Sequence, residues 1–297
     1  MYIPKPDGRQ RPIGLPTLED NIVQRATVEV LNAIDAGDLR GFSEGCRPGR
    51  SPHEALDAVT VGLAKRHVNW GLDADSRGCC DAIDHAWLVQ CIAQRLGDQR
   101  VVRPRQQWLP AGVLEPGHWH AQADGTPPGG RVSPLAAHIS LHDVLDRWAD
   151  RWRRQPARGE VSIGRDADDC IVGFEHRDDA KRFWRELRER RGQFTLALHP
   201  ETTRLIAFGR FAAERRQRRA QGNPATFDLL GLTPICSQTR NGKFTVRRKT
   251  MAQRLRQTRQ AVKDTRRRPL PWPLPQQGAW LKRVRLGHYR YDAVPRH

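Results

Sequence analysis

Asp166, Asp168 and Asp169 crowd into four consecutive positions of the sequence Arg165-Asp166-Ala167-Asp168-Asp169. Carboxylates this close repel one another and raise each other's pKa unless a cation sits among them. One reading is a solvated hairpin turn. The other is a hard-cation site, since Mg²⁺ takes a few carboxylates together with water and phosphate oxygens. Asp75, which ends an alternating apolar run, would complete a pair-of-metals arrangement for in-line phosphoryl chemistry. Gly125-Thr126-Pro127-Pro128-Gly129-Gly130-Arg131-Val132-Ser133-Pro134-Leu135 supplies a glycine-rich turn leading into a helix. Such a turn lets a ligand approach the backbone and favours anions at the helix start, although an ordinary loop has the same composition. Lys5, Arg9 and Arg11, on a proline-stiffened segment, could grip a triphosphate or could be plain surface charge.

The elements that must position these residues follow from periodicity. Val161-Ser162-Ile163 and Ile171-Val172-Gly173-Phe174 flank the acidic tip, which predicts a hairpin. Trp70, Leu72 and Ala74 alternate with Gly71, Asp73 and Asp75, a strand that ends in acid. Ile3 to Pro16, with the turn Pro6-Asp7-Gly8, reads as an extended hairpin-like element. Thr17 to Asp20 opens a helix whose Ile22, Ala26, Val30 and Ile34 predict a buried face. Further helices are expected from Pro52, over Asp84–Leu96, over Pro134–Trp152 and over Arg177–Arg191, and a strand over Phe194–Leu198. Helices and hairpins in this order indicate an α+β fold rather than a regular βαβ repeat.

Composition sets outer bounds. The 297 residues suggest about two domains and suffice for a real core. A hydrophobic fraction of 38% and a charged fraction of 28% exclude collagen, low-complexity chains and disulfide mini-proteins. No run of about 18 apolar residues is present, so a membrane span is not expected. The N-terminus has no apolar stretch resembling a signal peptide. Six scattered cysteines form no C-x-x-C pair, which fits free thiols in a cytoplasmic setting. The net charge of +18 suggests a polyanionic partner, nucleic acid being the usual one. It is uneven: residues 236–297 carry 17 Lys and Arg against Asp264 and Asp292, leaving only +3 for residues 1–235. The proline-rich stretch 269–277 is expected to break this basic piece in two.

The order of the blocks resembles the reverse transcriptase and maturase encoded by bacterial group II introns. The resemblance rests on Ile3 to Pro12, Phe42-Ser43-Glu44-Gly45-Cys46-Arg47-Pro48-Gly49, Asp75-Ser76-Arg77-Gly78 through Asp81-Ala82-Ile83-Asp84-His85, and Gly125 to Pro134. It continues through Ala167-Asp168-Asp169, Leu198-His199-Pro200-Glu201 and Phe227-Asp228-Leu229-Leu230-Gly231, almost end to end. It implies a right-hand polymerase: fingers at 1–70, a palm of antiparallel sheet packed on helices at 71–235, and the start of a helical thumb or maturase region at 236–297. It implies an RNA-directed DNA polymerase, a nucleotidyltransferase with two Mg²⁺ ions. Asp75, Asp168 and Asp169 would be its catalytic and metal-binding residues. Lys5, Arg11, Cys80, Pro128 and Gly129 fall at the nucleotide site, and Leu230-Gly231 at the primer grip. The implied partners are group II intron RNA, an RNA template with a DNA primer, and dNTPs, with no membrane. The basic segment from Phe244 to Arg268 would lie along template–primer or intron RNA.

The chain departs from that pattern at several of these positions. Asp166 replaces the tyrosine of Tyr-Ala-Asp-Asp, and Cys79-Cys80 replaces a Phe-Phe pair. Pro128 replaces a glutamine, and Thr202 replaces the lysine usual after Leu-His-Pro-Glu. Both ends also look short by the same comparison. Two other readings therefore stand beside the enzyme: a non-polymerising maturase that binds intron RNA, and a degenerate, inactive copy.

Overall fold

The computed structural model describes residues 2–4, 10–12, 14, 16–35, 37–45, 47–65, 67–76, 78–79, 82–95, 113–115, 118–120, 130, 132–222, 224–267 and 273–292. The chain begins with a short antiparallel pair, β1 (Tyr2–Pro4) and β2 (Gln10–Pro12), with Ile3 opposite Arg11. The prolines of this pair agree with its place outside the central sheet, since proline cannot donate to a ladder. Then come α1 (Leu18–Asp35), α2 (Pro52–Lys65), β3 (Trp70–Ala74) and α3 (His85–Arg95). A small hairpin, β4 (Val113–Glu115) and β5 (His118–His120), precedes a long helical rod. The rod consists of α4 (Ser133–Leu141), a π-helical turn (His142–Asp146) and α5 (Arg147–Arg154). There follow β6 (Val161–Asp166), β7 (Asp169–Phe174), α6 (Arg177–Gly192), β8 (Arg204–Ala207) and α7 (Arg210–Arg218). The chain continues with the hairpin β9 (Leu232–Gln238) and β10 (Phe244–Thr250), then α8 (Ala252–Arg267) and α9 (Leu274–Asp292).

The centre is an antiparallel sheet in the order β6-β7-β3-β8. Strand pairing sets Ala74 opposite Cys170, Leu72 opposite Val172 and Asp73 opposite Arg204. Because side chains alternate across the pleat, Leu72, Ala74, Cys170, Val172 and Phe174 share one face. That face packs on Leu145, Ala149 and Trp152 of the rod and on Phe183 and Leu187 of α6. Ile171 and Ile206 on the opposite face join Leu56, Val59 and Leu63 of α2, with Leu232 and Val246 of the β9–β10 hairpin. Each face is thus covered, as an α+β packing requires.

Three expectations are corrected. The apolar stripe Ile22, Ala26, Val30 and Ile34 of α1 is exposed, and the buried positions are Gln24, Thr27, Leu31 and Asp35. Asp35 is held by the cation of Arg95 at 2.7 Å, so a charged contact and Leu31 orient the helix in place of the apolar stripe. Thr17 does cap α1, accepting from the Asp20 N–H at 3.2 Å. Phe194–Leu198 is not a strand: the chain turns at Thr195, whose φ is +59°, and only Leu198 makes an isolated bridge, to Ser76. The fourth strand of the sheet is instead Arg204–Ala207. The basic tail is divided in two as expected, with one helix ending at Arg267 and the next starting at Leu274, and Pro275 sits in the first turn of the second, where its missing N–H has no helical partner to lose. Finally, Arg248 within the basic segment does not face outward. It is 1% exposed and pairs with Asp57 at 2.9 Å.

Candidate active site

Two carboxylates meet across adjoining strands. Asp75 directly follows β3 and Asp169 opens β7, and the pairing of Ala74 with Cys170 brings them opposite one another by one further step. The same pleat puts Asp73 and Asp169 on one face, with Asp166 opposite Asp169 on β6. Asp168 occupies the turn between β6 and β7, after Ala167 at φ +53°, a left-handed conformation disfavoured for alanine. Burial pushes Asp169 up to about 7, reinforced by the charges of Asp168, Asp75, Asp73 and Asp166. Burial also pushes Asp73 up to about 6, with Arg204 opposing and Asp75 and Asp228 reinforcing. Asp166 is raised by burial first, with Arg165 opposing and Asp168 adding to the rise. Among the described residues, no three His, Cys, Asp or Glu side chains are gathered closely enough to hold a metal ion. The carboxylates therefore share an edge of the sheet without forming a closed cage.

Asp75 is tied down from the other side. Its Oδ2 accepts from Thr202 Oγ1 at 2.7 Å, and its carbonyl accepts from the His199 N–H at 2.9 Å. Thr202, a departure from the family pattern, is thus in direct contact with a predicted site residue.

Beneath the hairpin lies a buried polar network that sequence reading misses. Arg165, 2% exposed, reaches Asp146 with Nε at 2.7 Å and Nη2 at 2.6 Å. Its Nη1 donates to the Ala167 carbonyl at 2.6 Å and its Nη2 also to Ser43 Oγ at 2.5 Å. Burial works against the Asp146 carboxylate, but the Arg165 charge and the hydrogen bonds from His142 and Arg165 outweigh it and hold the group below its ordinary range. His142 Nδ1 stands 3.4 Å from Asp146, and His138 Nε2 3.3 Å from Ser43 Oγ. The π turn positions this end of the network: the Arg147 N–H bonds to His142 five residues back, and such turns occur often at functional positions. The loop carrying Phe42 to Gly45 closes on the other side, with the Arg165 N–H bonded to Phe42 O at 2.9 Å and the Glu44 N–H to Arg165 O at 3.0 Å. A side chain at Gly45 would meet Ala167 N at 2.3 Å, so only glycine lets this loop lie against the turn. The available signals were an arginine at an inward-pointing strand position and His142/Asp146 spaced i, i+4 among the apolar Leu141, Val144 and Leu145 of the rod.

The other expected residues are placed as follows. Leu230 and Gly231 form a turn with both φ angles positive, +53° and +76°. Tyr291 Oη donates to Leu230 O at 2.8 Å, and the Arg254 guanidinium lies over the Tyr291 ring at 4.3 Å. Arg11 lies on β2. Lys5, Cys80, Pro128 and Gly129, with the turn Pro6-Asp7-Gly8, lie outside the described residues. Ser133 opens α4, and the glycine-rich stretch 125–129 before it lies outside the described residues.

An antiparallel sheet bearing carboxylates at the end of its central hairpin, with helices on its faces, defines a polymerase-type palm. The family model for "Reverse transcriptase (RNA-dependent DNA polymerase)" matches residues 3–234, and the chain belongs to that family. It is 36% identical over 145 residues to the group II intron-encoded protein LtrA of Lactococcus lactis, a match covering 48% of this chain and 24% of that protein. It is 32% identical over 161 residues to protein YkfC of Escherichia coli K12, covering 53% of this chain and 42% of YkfC. The chain therefore spans less than half the length of these relatives. Among solved structures, telomerase from Candida albicans, determined with a fragment of telomeric RNA, matches at a TM-score of 0.53 and 9% identity. That match covers 79% of this chain and 38% of the telomerase, and it establishes the fold alone. No helix among the described residues is long and apolar enough to cross a membrane.

Proposed function

We propose that this chain is the polymerising portion of a group II intron-encoded reverse transcriptase, extending a DNA primer on an RNA template with dNTPs and binding the intron RNA whose splicing it assists. The observation that carries this is Asp75 facing Asp169 across paired strands, with Asp168 on the turn beside them. We assign residues 1–70 to fingers, 71–235 to palm and 236–297 to the start of the thumb.

Reverse transcriptases generally use divalent ions, and the carboxylate oxygens along this edge are the hard donors such ions take. Burial, with the charges of Asp168, Asp75, Asp73 and Asp166 adding to it, keeps the Asp169 carboxyl elevated, and a cation would relieve that repulsion. Asp75, Asp168 and Asp169 would hold two Mg²⁺. When bound, the ions would supply Lewis-acid activation of the primer 3′-hydroxyl and charge neutralisation of the triphosphate. The chain's own residues do the rest. Thr202 orients the Asp75 carboxylate. Arg165 and Asp146 fix the hairpin that carries Asp168. The left-handed Leu230-Gly231 turn offers backbone for gripping the primer end. Lys5 and Arg11 neutralise the incoming triphosphate, and Cys80, Pro128 and Gly129 border the nucleotide. The exposed cations of α8 run along the nucleic-acid backbone.

The test is primer extension by the purified chain on a primed RNA template with Mg²⁺ and dNTPs. Extension abolished by Asp168→Asn supports the reading, and extension unaffected by that change sinks it. A second reading, an intron-RNA-binding maturase that does not polymerise, is favoured by α8, which has no buried residue and needs no carboxylate to bind RNA. Tight intron-RNA binding with no extension would select it.

A further inference from the structure

The Ala167-Asp168 turn is held from beneath by two buried arginines from different elements. Arg165 bonds the Ala167 carbonyl directly and has its charge matched by Asp146. The second is Arg191, in the last turn of α6 and 1% exposed. Its Nη1 donates to Ser76 Oγ at 2.5 Å, and Ser76 Oγ donates to the Asp168 carbonyl at 3.1 Å. The direction of this relay is fixed, because a guanidinium only donates, a carbonyl only accepts, and a hydroxyl has one proton to give. Ser76 also follows Asp75 in sequence and bridges to Leu198, so the relay touches both sides of the carboxylate edge. Successive carbonyls of a turn held in a conformation disfavoured for alanine are thus each bonded from within the protein.

Arg191 differs from Arg165 in having no carboxylate hydrogen-bonded to it among the described residues. Among those residues its Nε and Nη2 also meet no hydrogen-bond partner, although both are buried. Burial lowers its pKa, with Cys170, Cys79 and Asp168 opposing the fall and Arg165 adding to it. An unpaired buried guanidinium is costly to fold around. α6 could pack its apolar face, Ala180, Phe183 and Leu187, without it. What Arg191 does contribute is a rigid donor and a positive charge directly behind the hairpin tip.

We propose that Arg191, acting through Ser76, is a positioning residue that fixes the Asp168 turn and thereby sets the affinity of the Asp75–Asp168–Asp169 edge for divalent cations. The inference deepens the proposed polymerase site and rests on that reading. Groups that orient metal ligands from behind typically change metal affinity by about 10–100-fold when removed.

The experiment measures Mn²⁺ binding to the full chain by electron paramagnetic resonance of the free ion, without nucleotide or RNA. Wild type is compared with Asp168→Asn, Ser76→Ala, Arg191→Met and Arg191→Lys. Expected are loss of binding in Asp168→Asn and weakening by about tenfold or more in Ser76→Ala and Arg191→Met. Arg191→Lys, which keeps a donor cation, should fall between Arg191→Met and wild type. Hydrogen exchange should quicken at the Asp168 and Asp169 amides of Ser76→Ala while those of β3 hold. Binding lost in Asp168→Asn but unchanged in Ser76→Ala overturns the inference and leaves the site standing. Equal binding in wild type and Asp168→Asn removes the site and the inference with it. If Arg191→Met fails to fold, Ser76→Ala decides alone, since it deletes a single oxygen from the relay.

Discussion

Thr202 donates its hydroxyl to the Asp75 carboxylate at 2.7 Å, where the family pattern has a lysine. The threonine therefore orients a site carboxylate without adding charge. A hydrogen bond to a charged group contributes about 1.5–3 kcal/mol when sheltered and less where, as here, the donor is exposed. Thr202→Val keeps the shape and removes the bond. It should slow single-turnover primer extension by roughly three- to tenfold, with nucleotide affinity little changed. An unchanged rate would mean that Asp75 is oriented without it.

Gly45 is predicted to be intolerant of any side chain. An added Cβ would meet the Ala167 backbone nitrogen at 2.3 Å, and backbone cannot swing away as a flexible side chain can. Gly45→Ala should lower unfolding free energy by about 1–3 kcal/mol, the usual cost of overpacking. Urea denaturation measures this, and a loss below about 0.5 kcal/mol would show that the loop accommodates the methyl group by moving.

Burial, with the Arg165 guanidinium next in effect, pushes His138 down to about 3. Asp146 opposes, while His142 and Arg47 act in the same direction as Arg165. The fold thus holds a neutral imidazole that the unfolded chain protonates near its ordinary value of 6.5. Below that pH the unfolded state binds the extra proton, so stability falls from about pH 6.5 toward 3. At pH 5 the loss from this group is about 2 kcal/mol. Unfolding curves at pH 7 and pH 5 should show it, and His138→Gln should flatten the difference. An identical difference in the variant would assign acid sensitivity elsewhere.

The hairpin, the strand ending at Asp75 and the two-faced α+β sheet were legible because their signals are local: a period of two, acids at a turn, and helices of 3.6-residue period. What was illegible depended on partners distant in sequence. Arg165 stands at an inward-pointing strand position, but nothing near it in sequence identifies Asp146 of the rod and Ser43 of the early loop as its partners. Arg191 reads as the end of an arginine-rich helix, with no clue that Ser76 lies above it. The stripe Ile22, Ala26, Val30 and Ile34 gave the right period but the wrong face, because Asp35 found a buried arginine and turned α1 the other way. Arg248 counted toward the basic tail by composition, yet its strand faces it inward against Asp57.

Asp166 puts a further carboxylate opposite Asp169 and is one of the charges raising that group. Asp166→Asn keeps the shape and removes the charge. It should weaken Mn²⁺ binding by about threefold, because the negative charge that raises the Asp169 pKa also attracts a cation. Asp166→Tyr, which restores an aromatic surface, should raise primer extension even so. Unchanged Mn²⁺ binding in Asp166→Asn would place Asp166 out of electrostatic reach of the bound ion.

The last prediction separates the cations that meet nucleic acid from those that hold the fold. Arg256, Arg259, Lys263 and Arg267 recur at helical spacing along α8, all exposed, on a helix with no buried residue. Each phosphate neutralised releases counterion, so the logarithm of affinity falls with the logarithm of salt by about 0.7 per contact on single strands and about 0.9 on B-form duplex. Replacing Arg256, Arg259 and Lys263 by glutamine should reduce the magnitude of the slope for RNA binding by about 2, with the unfolding midpoint nearly unchanged. Arg248→Gln should do the opposite. It strips Asp57 of a partner and leaves a buried amide, so stability falls while the salt slope holds. Fluorescence anisotropy with a labelled intron fragment between 50 and 300 mM salt distinguishes the two. A slope unmoved by the triple change would place the RNA on another surface.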